Sequence, residues 1–270
     1  MTQRTAAPVT LTRLRQMKAA GDKFACLTAY DASFAQLLDE QGVEVILVGD
    51  SLGMVIQGHD TTVPVTMDDM VYHSRAVARG CRRALLMVDL PFMACATPEQ
   101  AVTNAARLMQ EGGAQVVKLE GSGVQLAVVE ALAQRGIPVC AHLGLQPQTV
   151  HKLGGYRVQG RTADAAQQMV AEAVAVTRAG ADVLLIECVP EPLAAEITQS
   201  VEVPVIGIGA SPRCDGQVLV LYDILGITPG KRPKFSHDFM AGQHAIGDAV
   251  AAYVKAVKSG EFPDSIHCFN

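Results

Sequence analysis

Short runs of apolar residues recur along the chain and alternate with segments of helical composition. Most of these runs are continuous in Val, Ile and Leu, which is typical of strands that are buried on both faces of a parallel sheet. The runs cover residues 24–29, 44–49, 84–89, 114–120, 137–142, 181–187, 203–209 and 217–222. The pattern therefore predicts eight parallel strands.

The segments between these strands carry signals for helix starts and ends. Thr97-Pro98-Glu99 combines an N-cap residue, a proline at the first helical position and an acid in the first turn. Thr162 is placed to cap a later helix that ends near residues 179–180. Regular strand–helix alternation without a Pro/Ser-rich linker predicts an α/β fold. We expect a single (β/α)8 TIM-type barrel over residues 1–270, with an N-terminal helix and C-terminal helices; an open doubly wound sheet is the alternative.

Composition and charge narrow the class of protein. Hydrophobic residues make up 49% of the 270 residues, which is enough for a large closed core. The net charge is −5 and the basic residues are scattered, which argues against a nucleic-acid partner. No apolar run approaches the roughly 20 residues of a membrane span, and the first residues lack a signal-peptide pattern. The seven cysteines include no CxxC pair. We therefore expect a cytoplasmic protein with reduced thiols and no membrane partner.

Acidic residues follow four of the predicted strands. All carboxyl ends of the strands in a parallel barrel open on one face, and active sites are built there. The same strand ends also carry a serine, a lysine and a histidine. The predicted site consists of Asp50, Ser51, Asp89, Lys118, Glu120, His142 and Glu187.

The carboxylates of this set predict a metal site. A cluster of carboxylates without accompanying arginines repels itself unless it is protonated or binds a cation. Asp50, Asp89 and Glu120 offer hard oxygen ligands, which suit Mg²⁺. Zinc is disfavoured because no cysteine or histidine pair has the spacing of zinc ligands. Any one of these acids could instead cap the helix that follows it or pair with a lysine.

The remaining site residues suggest how a 2-oxo acid would be handled. Lys118 and Glu120 lie two positions apart on one strand, so they face the same side, beside the oxygens of such a substrate. Lys118 could instead form a Schiff base. Glu187 lies in an apolar run, a setting that suits a general base; a buried structural acid is the alternative. His142 is predicted to contact or support the substrate, or else to be a core histidine.

Two glycine-rich segments also follow predicted strands. Residues 207–211 could bind phosphate, although no GxGxxG pattern follows, and a close approach of substrate to the backbone explains the glycines as well. Residues 154–160 contain too many glycines for a helix and predict a functional loop that could act as a lid.

Several longer sequence blocks occur in a fixed order between about residues 25 and 233. They are Gly49-Asp50-Ser51-Leu52-Gly53-Met54, Asp89-Leu90-Pro91-Phe92, Val117-Lys118-Leu119-Glu120-Gly121, His142-Leu143-Gly144-Leu145-Gln146-Pro147-Gln148, Gly154-Gly155-Tyr156, Glu187-Cys188-Val189-Pro190 and Asp215-Gly216-Gln217. In these blocks the chain resembles the ketopantoate hydroxymethyltransferase family. The resemblance covers nearly the whole chain, with departures at Ser211, where the family commonly has glycine, and at Tyr222, where it often has histidine.

This resemblance implies an activity and a set of roles. The family transfers the one-carbon unit of methylenetetrahydrofolate to 3-methyl-2-oxobutanoate, which gives 2-dehydropantoate in the first committed step of pantothenate biosynthesis. The resemblance implies Mg²⁺ at Asp50, Asp89 and Glu120, and Glu187 as the proton acceptor. It further implies substrate contacts from Asp50, Ser51, Asp89 and Lys118, and a homo-oligomer, commonly a decamer.

Two other functions fit the same arrangement of residues. One is another Mg²⁺-dependent barrel enzyme for 2-oxo acids, such as a carbon–carbon lyase or a relative of phosphoenolpyruvate mutase. The other is a catalytically silent protein that binds a small molecule on the same barrel. Fold analogy alone does not separate these functions.

Overall fold

The computed structural model describes residues 7–228 and 232–270. Eight parallel strands form a closed barrel in chain order, in which the last strand pairs with the first. The strands are β1 Phe24–Thr28, β2 Val45–Val48, β3 Leu85–Asp89, β4 Val116–Glu120, β5 Val139–Gly144, β6 Val183–Glu187, β7 Val205–Ile208 and β8 Gly216–Leu219. The TIM-type barrel predicted from the sequence is confirmed.

The strands differ from the predicted apolar runs at their ends. The largest difference is in the last run, which was predicted to continue to Tyr222, whereas β8 ends at Leu219. The backbone N–H of Leu221 donates to the hydroxyl of Thr28 at 3.0 Å, and a short helix begins there. Tyr222 therefore lies in a helix at the barrel mouth, because a side-chain acceptor replaces the next partner in the strand ladder.

Helices cover the outside of the barrel. They are α1 Leu11–Ala20, α2 Ala32–Glu40, α3 Leu52–Val55, α4 Met67–Gly80, α5 Pro98–Gln110, α6 Leu126–Ala133, α7 Val150–Leu153, α8 Ala163–Arg178, α9 Glu191–Ser200, α10 Leu221–Ile224 and α11 Ile246–Ser259. Both predicted N-caps are present. The hydroxyls of Thr97 and Thr162 each accept a backbone N–H three residues later, at 3.3 Å.

The N-terminal helix α1 packs at the amino-terminal ends of the strands. Lys18 donates to the carboxylate of Asp215, just before β8, at 2.8 Å, and Arg15 donates to Asp182, just before β6, at 2.6 Å. This helix therefore lies opposite the end where the predicted site residues emerge.

The barrel register brings the chemically active residues together. In the parallel ladder Asp89 pairs with Lys118, and Glu120 pairs with His142. The strands themselves are almost entirely buried, as their continuous apolar sequences predict. Each polar residue at these positions therefore enters the apolar core at one end of the barrel.

The sulfur-containing side chains serve mainly the core. All seven cysteines are free thiols, and six of them are buried. Met169 is buried and Met109 packs against the core from a partly buried position. Across residues 7–228 and 232–270, the helices are all too short or too polar to cross a membrane.

Candidate active site

The strand ends place the predicted residues at one end of the barrel. Asp89, Glu120 and Glu187 are the last residues of β3, β4 and β6, and Asp50 follows β2 by two positions. The three predicted metal ligands, Asp50, Asp89 and Glu120, are buried, as are Lys118 and His142. Only 13% of the side chain of Glu187 is exposed. Polar groups are this deeply buried only where partners or ligands compensate them.

Lys118 forms an ion pair with Asp89 inside the barrel. Burial lowers the pKa of Lys118, but the negative charges of Asp89, Glu120 and Asp50 outweigh it, so the pKa lies above its usual value. The amine therefore stays protonated. A Schiff-base lysine needs a neutral amine, so the geometry favours charge neutralisation over the Schiff-base alternative.

Asp50 and Asp89 are directly linked. The backbone N–H of Asp50 donates to Oδ2 of Asp89 at 3.0 Å. Burial raises the pKa of the Asp50 carboxyl well above its usual range, and the neighbouring charges of Asp89 and Glu120 raise it further. The Lys118 ammonium does not fully offset this repulsion, so the site favours an additional positive charge.

His142 lies between two acids. Its Nδ1 is 3.6 Å from Oε1 of Glu120, and its Nε2 is 3.4 Å from Oε2 of Glu187. Burial and Lys118 lower the pKa of His142, but Glu120 and Glu187 raise it to about 9 overall. Within the described residues, both ring nitrogens and Oε1 of Glu120 lack a hydrogen-bond partner. These atoms are therefore available to a ligand.

Ser51 is held by a tyrosine that the sequence did not single out. The hydroxyls of Ser51 and Tyr30 lie 2.9 Å apart, and Tyr30 follows β1. Burial raises the pKa of Tyr30, so its phenol stays neutral. The ring of Tyr222 lies 6.0 Å from that of Tyr30, which places this departure from the family pattern beside the Ser51 hydroxyl.

Gln148 is the second residue that the sequence missed. It lies in a 3₁₀ turn, Pro147–Thr149, between β5 and α7. Its side-chain amide donates to Asp50, and its backbone N–H donates to Glu120. The only sequence signal was its place in a block of the family resemblance, because an isolated glutamine in a loop has no spacing that predicts a contact.

The loop predicted as a lid lies close to the barrel mouth. Tyr156 is half-exposed, and its hydroxyl donates to the sulfur of Met54 at 3.5 Å. Burial raises the pKa of Tyr156, with further contributions from Glu187, Asp50 and Glu120. The loop is anchored near the site, because the N–H of Gln159 donates to the carbonyl of Cys188 at 2.9 Å.

The backbone after Glu187 adopts a conformation that is unusual outside glycine. Cys188 has φ +48°, in the left-handed region. Beside it, Gly144 has φ +89°, and a Cβ at that position would clash with the carbonyl oxygen of Glu187. Glycine is therefore required at position 144 where β5 meets β6, and the position of Glu187 depends on it.

The glycine-rich segment 207–211 is packed rather than open. A Cβ on Gly207 would lie 2.9 Å from Sγ of Cys214, and one on Gly209 would lie 2.9 Å from the ring of Phe235. Ser211 is fully buried, and its hydroxyl accepts from the N–H of Arg213 at 3.1 Å. The glycines therefore serve side-chain packing, and this geometry does not support a phosphate loop or a substrate approach to the backbone.

The predicted metal ligands do not form a closed cage. In the part of the chain that the structure describes, no group of three or more His, Cys, Asp and Glu side chains is arranged to hold a metal ion. Asp50, Asp89 and Glu120 share an end of the barrel, but they are also engaged by Lys118 and Gln148. A cation held here would use fewer direct protein ligands, with water or substrate completing its shell.

Comparison with known proteins identifies the family. A profile described as ketopantoate hydroxymethyltransferase matches residues 8–265. The 3-methyl-2-oxobutanoate hydroxymethyltransferase of Alkalilimnicola ehrlichii is 62% identical over 98% of this chain and 96% of its own length. That of Nitrosococcus oceani is 60% identical over 94% of this chain and 97% of its own length.

A solved structure shares the fold at low identity. Phosphonopyruvate hydrolase in complex with oxalate and Mg²⁺ has a TM-score of 0.59 and 15% identity, over 78% of this chain and 80% of that one. This likeness concerns the barrel alone, whereas the sequence matches extend over nearly all residues. The chain belongs to the ketopantoate hydroxymethyltransferase family.

Proposed function

We propose that this chain transfers the one-carbon unit of methylenetetrahydrofolate to 3-methyl-2-oxobutanoate, giving 2-dehydropantoate for pantothenate synthesis. The observation that carries the proposal is the gathering of buried acids, Lys118 and Glu187 at one end of the barrel, in a chain of this family. The 2-oxo acid has a carboxylate and a keto oxygen beside an acidic C–H bond. Each of these groups has a complementary residue at the site.

The substrate carboxylate is matched by Lys118. This buried ammonium is paired with Asp89, so a bound carboxylate would share its charge rather than meet an uncompensated acid cluster. The Ser51 hydroxyl, fixed by Tyr30, is a second donor toward the substrate oxygens. We propose that in this pose C3 of the substrate faces Glu187, the acid at the end of β6.

The donor set fits a divalent cation. Asp50, Asp89 and Glu120 are hard oxygen donors, the pKa of Asp50 is raised by burial and by the other two, and Oε1 of Glu120 is buried without a hydrogen bond within the described residues. We propose that these carboxylates hold Mg²⁺, which keeps waters and uses few protein ligands. When bound, Mg²⁺ supplies Lewis-acid polarisation of the keto group, which acidifies the C–H bond at C3.

Glu187 is the proposed proton acceptor. Its carboxylate lies at the end of β6, with Oε2 3.4 Å from Nε2 of His142, and the pKa of that histidine is raised by Glu120 and Glu187. Glu187 takes the proton from C3, and C3 then bonds to the methylene carbon. Both bonds that join this carbon to folate nitrogens break, because C3 replaces one nitrogen and the hydroxyl oxygen of water replaces the other. The proton taken from C3 and one proton of the water go to the two nitrogens, and tetrahydrofolate leaves.

Proton exchange at C3 tests this proposal. NMR of 3-methyl-2-oxobutanoate in D₂O should show deuteration at C3 that needs both enzyme and Mg²⁺. Adding methylenetetrahydrofolate should then give 2-dehydropantoate. Exchange without product would favour a related enolising barrel such as a lyase, and folded, Mg²⁺-supplied protein that catalyses neither would refute the function.

Oligomeric state and location belong to the same proposal. Following the family resemblance, we propose a homo-oligomer, with a decamer as the expected size, to be measured by light scattering after size-exclusion chromatography. The free thiols support a reducing, cytoplasmic setting.

A further inference from the structure

Gln148 connects three strand ends at the barrel mouth. Its Nε2 donates to Oδ2 of Asp50 at 2.8 Å, after β2, and to the carbonyl oxygen of Leu90 at 3.0 Å, after β3. Its backbone N–H donates to Oε2 of Glu120, the last residue of β4, at 3.1 Å. One residue of the connection after β5 therefore contacts groups from the three preceding strands.

The amide is chemically suited to orient acids without neutralising them. A lysine or arginine in this place would add a positive charge and compete with a cation for the same carboxylates. The amide of Gln148 instead donates neutral hydrogen bonds, so it adds no charge that would compete with a cation for the carboxylates of Asp50 and Glu120.

The contacts also leave one oxygen of Glu120 open. Gln148 uses only Oε2, whereas Oε1 is buried and has no hydrogen bond among the described residues. In Asp50, Gln148 likewise uses only Oδ2. Each carboxylate is therefore held by one oxygen, with the other able to serve a ligand.

We propose that Gln148 is a positioning residue that presents the carboxylates of Asp50 and Glu120 to the divalent cation. The inference rests on the proposed function, because it assigns Gln148 to the metal-dependent step of that reaction. Without its side chain, the Asp50 carboxylate loses its only side-chain donor within the described residues and can rotate away from Glu120, which repels it. The cost should fall on cation binding rather than on proton transfer by Glu187.

The hydrogen bond to the carbonyl oxygen of Leu90 allows an alternative interpretation, in which Gln148 only connects its turn to the neighbouring loop. A structural role would lower thermal stability or the rate at every Mg²⁺ concentration. A positioning role would weaken Mg²⁺ binding, and excess Mg²⁺ would restore the rate. These outcomes separate the two.

The test compares Gln148→Met with wild-type enzyme and with Gln146→Met. Methionine has a similar length but no donor, and the backbone bond from residue 148 to Glu120 is retained. Gln146 lies in the same connection, and among the described residues the hydrogen bonds to the Asp50 and Glu120 carboxylates come from Gln148 and not from the Gln146 side chain. Mg²⁺ is titrated by calorimetry with and without 3-methyl-2-oxobutanoate, and C3 deuteration is followed by NMR over a range of Mg²⁺.

Gln148→Met should bind Mg²⁺ roughly 10-fold or more weakly, in the range that supporting contacts of a metal site supply. Its exchange rate should approach the wild-type rate when Mg²⁺ is saturating, and Gln146→Met should behave as wild type. Unchanged Mg²⁺ affinity, or a loss of exchange that saturating Mg²⁺ does not restore, would overturn the positioning role.

Circular dichroism melting checks that each variant folds. If Gln148→Met does not fold, Gln148→Asn replaces it, because the shorter amide keeps its donors but falls short of Asp50; the same affinities then decide. Wild-type enzyme that binds Mg²⁺ but exchanges no proton would refute the proposed function, while the Mg²⁺ affinities would still judge Gln148. Wild-type exchange with an unaffected variant would refute the positioning role alone.

Discussion

Acids lie at both ends of this barrel, and their partners differ. At the amino-terminal end, one oxygen of Asp215 accepts from the Lys18 ammonium and from the backbone N–H of Val205, each at 2.8 Å. Asp39 accepts the two backbone N–H groups just before β3. Glu44 and Asp182 each accept an N–H from the first two residues of a strand and also pair with a basic side chain. These acids are satisfied by the protein itself and join the strands to their surroundings.

At the carboxyl end, the acids are crowded and incompletely partnered. Lys118 is the common positive neighbour of Asp50, Asp89 and Glu120. The pKa of Asp50 is raised by burial and by the negative charges of Asp89 and Glu120. The ring nitrogens of His142 have no hydrogen bond in the described part of the chain. Acidic side chains therefore stabilise the fold at the amino-terminal end of the barrel. At the carboxyl end, the same kinds of side chain still have oxygen atoms that can bind a ligand.

Glu187→Gln should give the largest effect at the carboxyl end. The amide keeps the shape but cannot accept the C3 proton, so the exchange rate should fall about 10³-fold, within the range for loss of a general base. Binding of 3-methyl-2-oxobutanoate should be largely retained in calorimetry. The exposed Glu196, changed to Gln, is the matched control on α9. Exchange at the wild-type rate would remove Glu187 from its assigned role.

Asp89→Asn should act next most strongly, through binding. The substitution removes a proposed Mg²⁺ ligand and leaves the buried Lys118 without its ion-pair partner. Substrate affinity in the presence of Mg²⁺ should fall about 100-fold or more, because losing a ligand costs at least as much as losing a supporting partner of the metal site. Calorimetry with and without Mg²⁺ measures this, and unchanged affinity would contradict the assignment.

Asp215→Ala should affect stability and spare the chemistry. It removes the ion-pair partner of Lys18, which keeps only the carbonyl of Thr198, and leaves the N–H of Val205 without its acceptor, so the free energy of unfolding should fall by about 3 kcal/mol. Urea denaturation measures the change, with the exposed Asp22→Ala as control at the same end. The folded variant should exchange the C3 proton at the wild-type rate. A variant with slow C3 exchange and unchanged stability would contradict the proposed difference between the two ends.

Tyr156→Ala should give the smallest effect, a few-fold slower hydroxymethylation. The variant removes the ring beside Met54 at the mouth, so water enters more readily and the folate-borne carbon is held less well. Tyr156→Phe keeps the ring and loses only the contact with sulfur, so it should stay closer to wild type. Initial rates with methylenetetrahydrofolate measure both variants, and equal rates in all three proteins would argue against a lid.

Local patterns predicted most of the architecture. Continuous apolar runs gave the eight strands, because strands covered on both faces need apolar side chains at every position. The caps at Thr97 and Thr162 were predictable because they depend on residues within one helical turn. Strand ends were less certain, as at Tyr222, because a contact with Thr28, nearly the whole barrel away in sequence, ends the last ladder.

The sequence by itself determined the fold class, the end of the barrel that carries the chemistry and the acids that gather there, because parallel strands expose all their carboxyl ends on one face. Only the tertiary structure decided which groups pair. Lys118 forms an ion pair with Asp89, and His142 lies between Glu120 and Glu187. Gln148 and Tyr30 enter the site from connecting segments in which residue spacing predicts no contact. Pairing depends on distances of a few ångströms between segments far apart in the chain, which barrel closure fixes and local sequence does not encode.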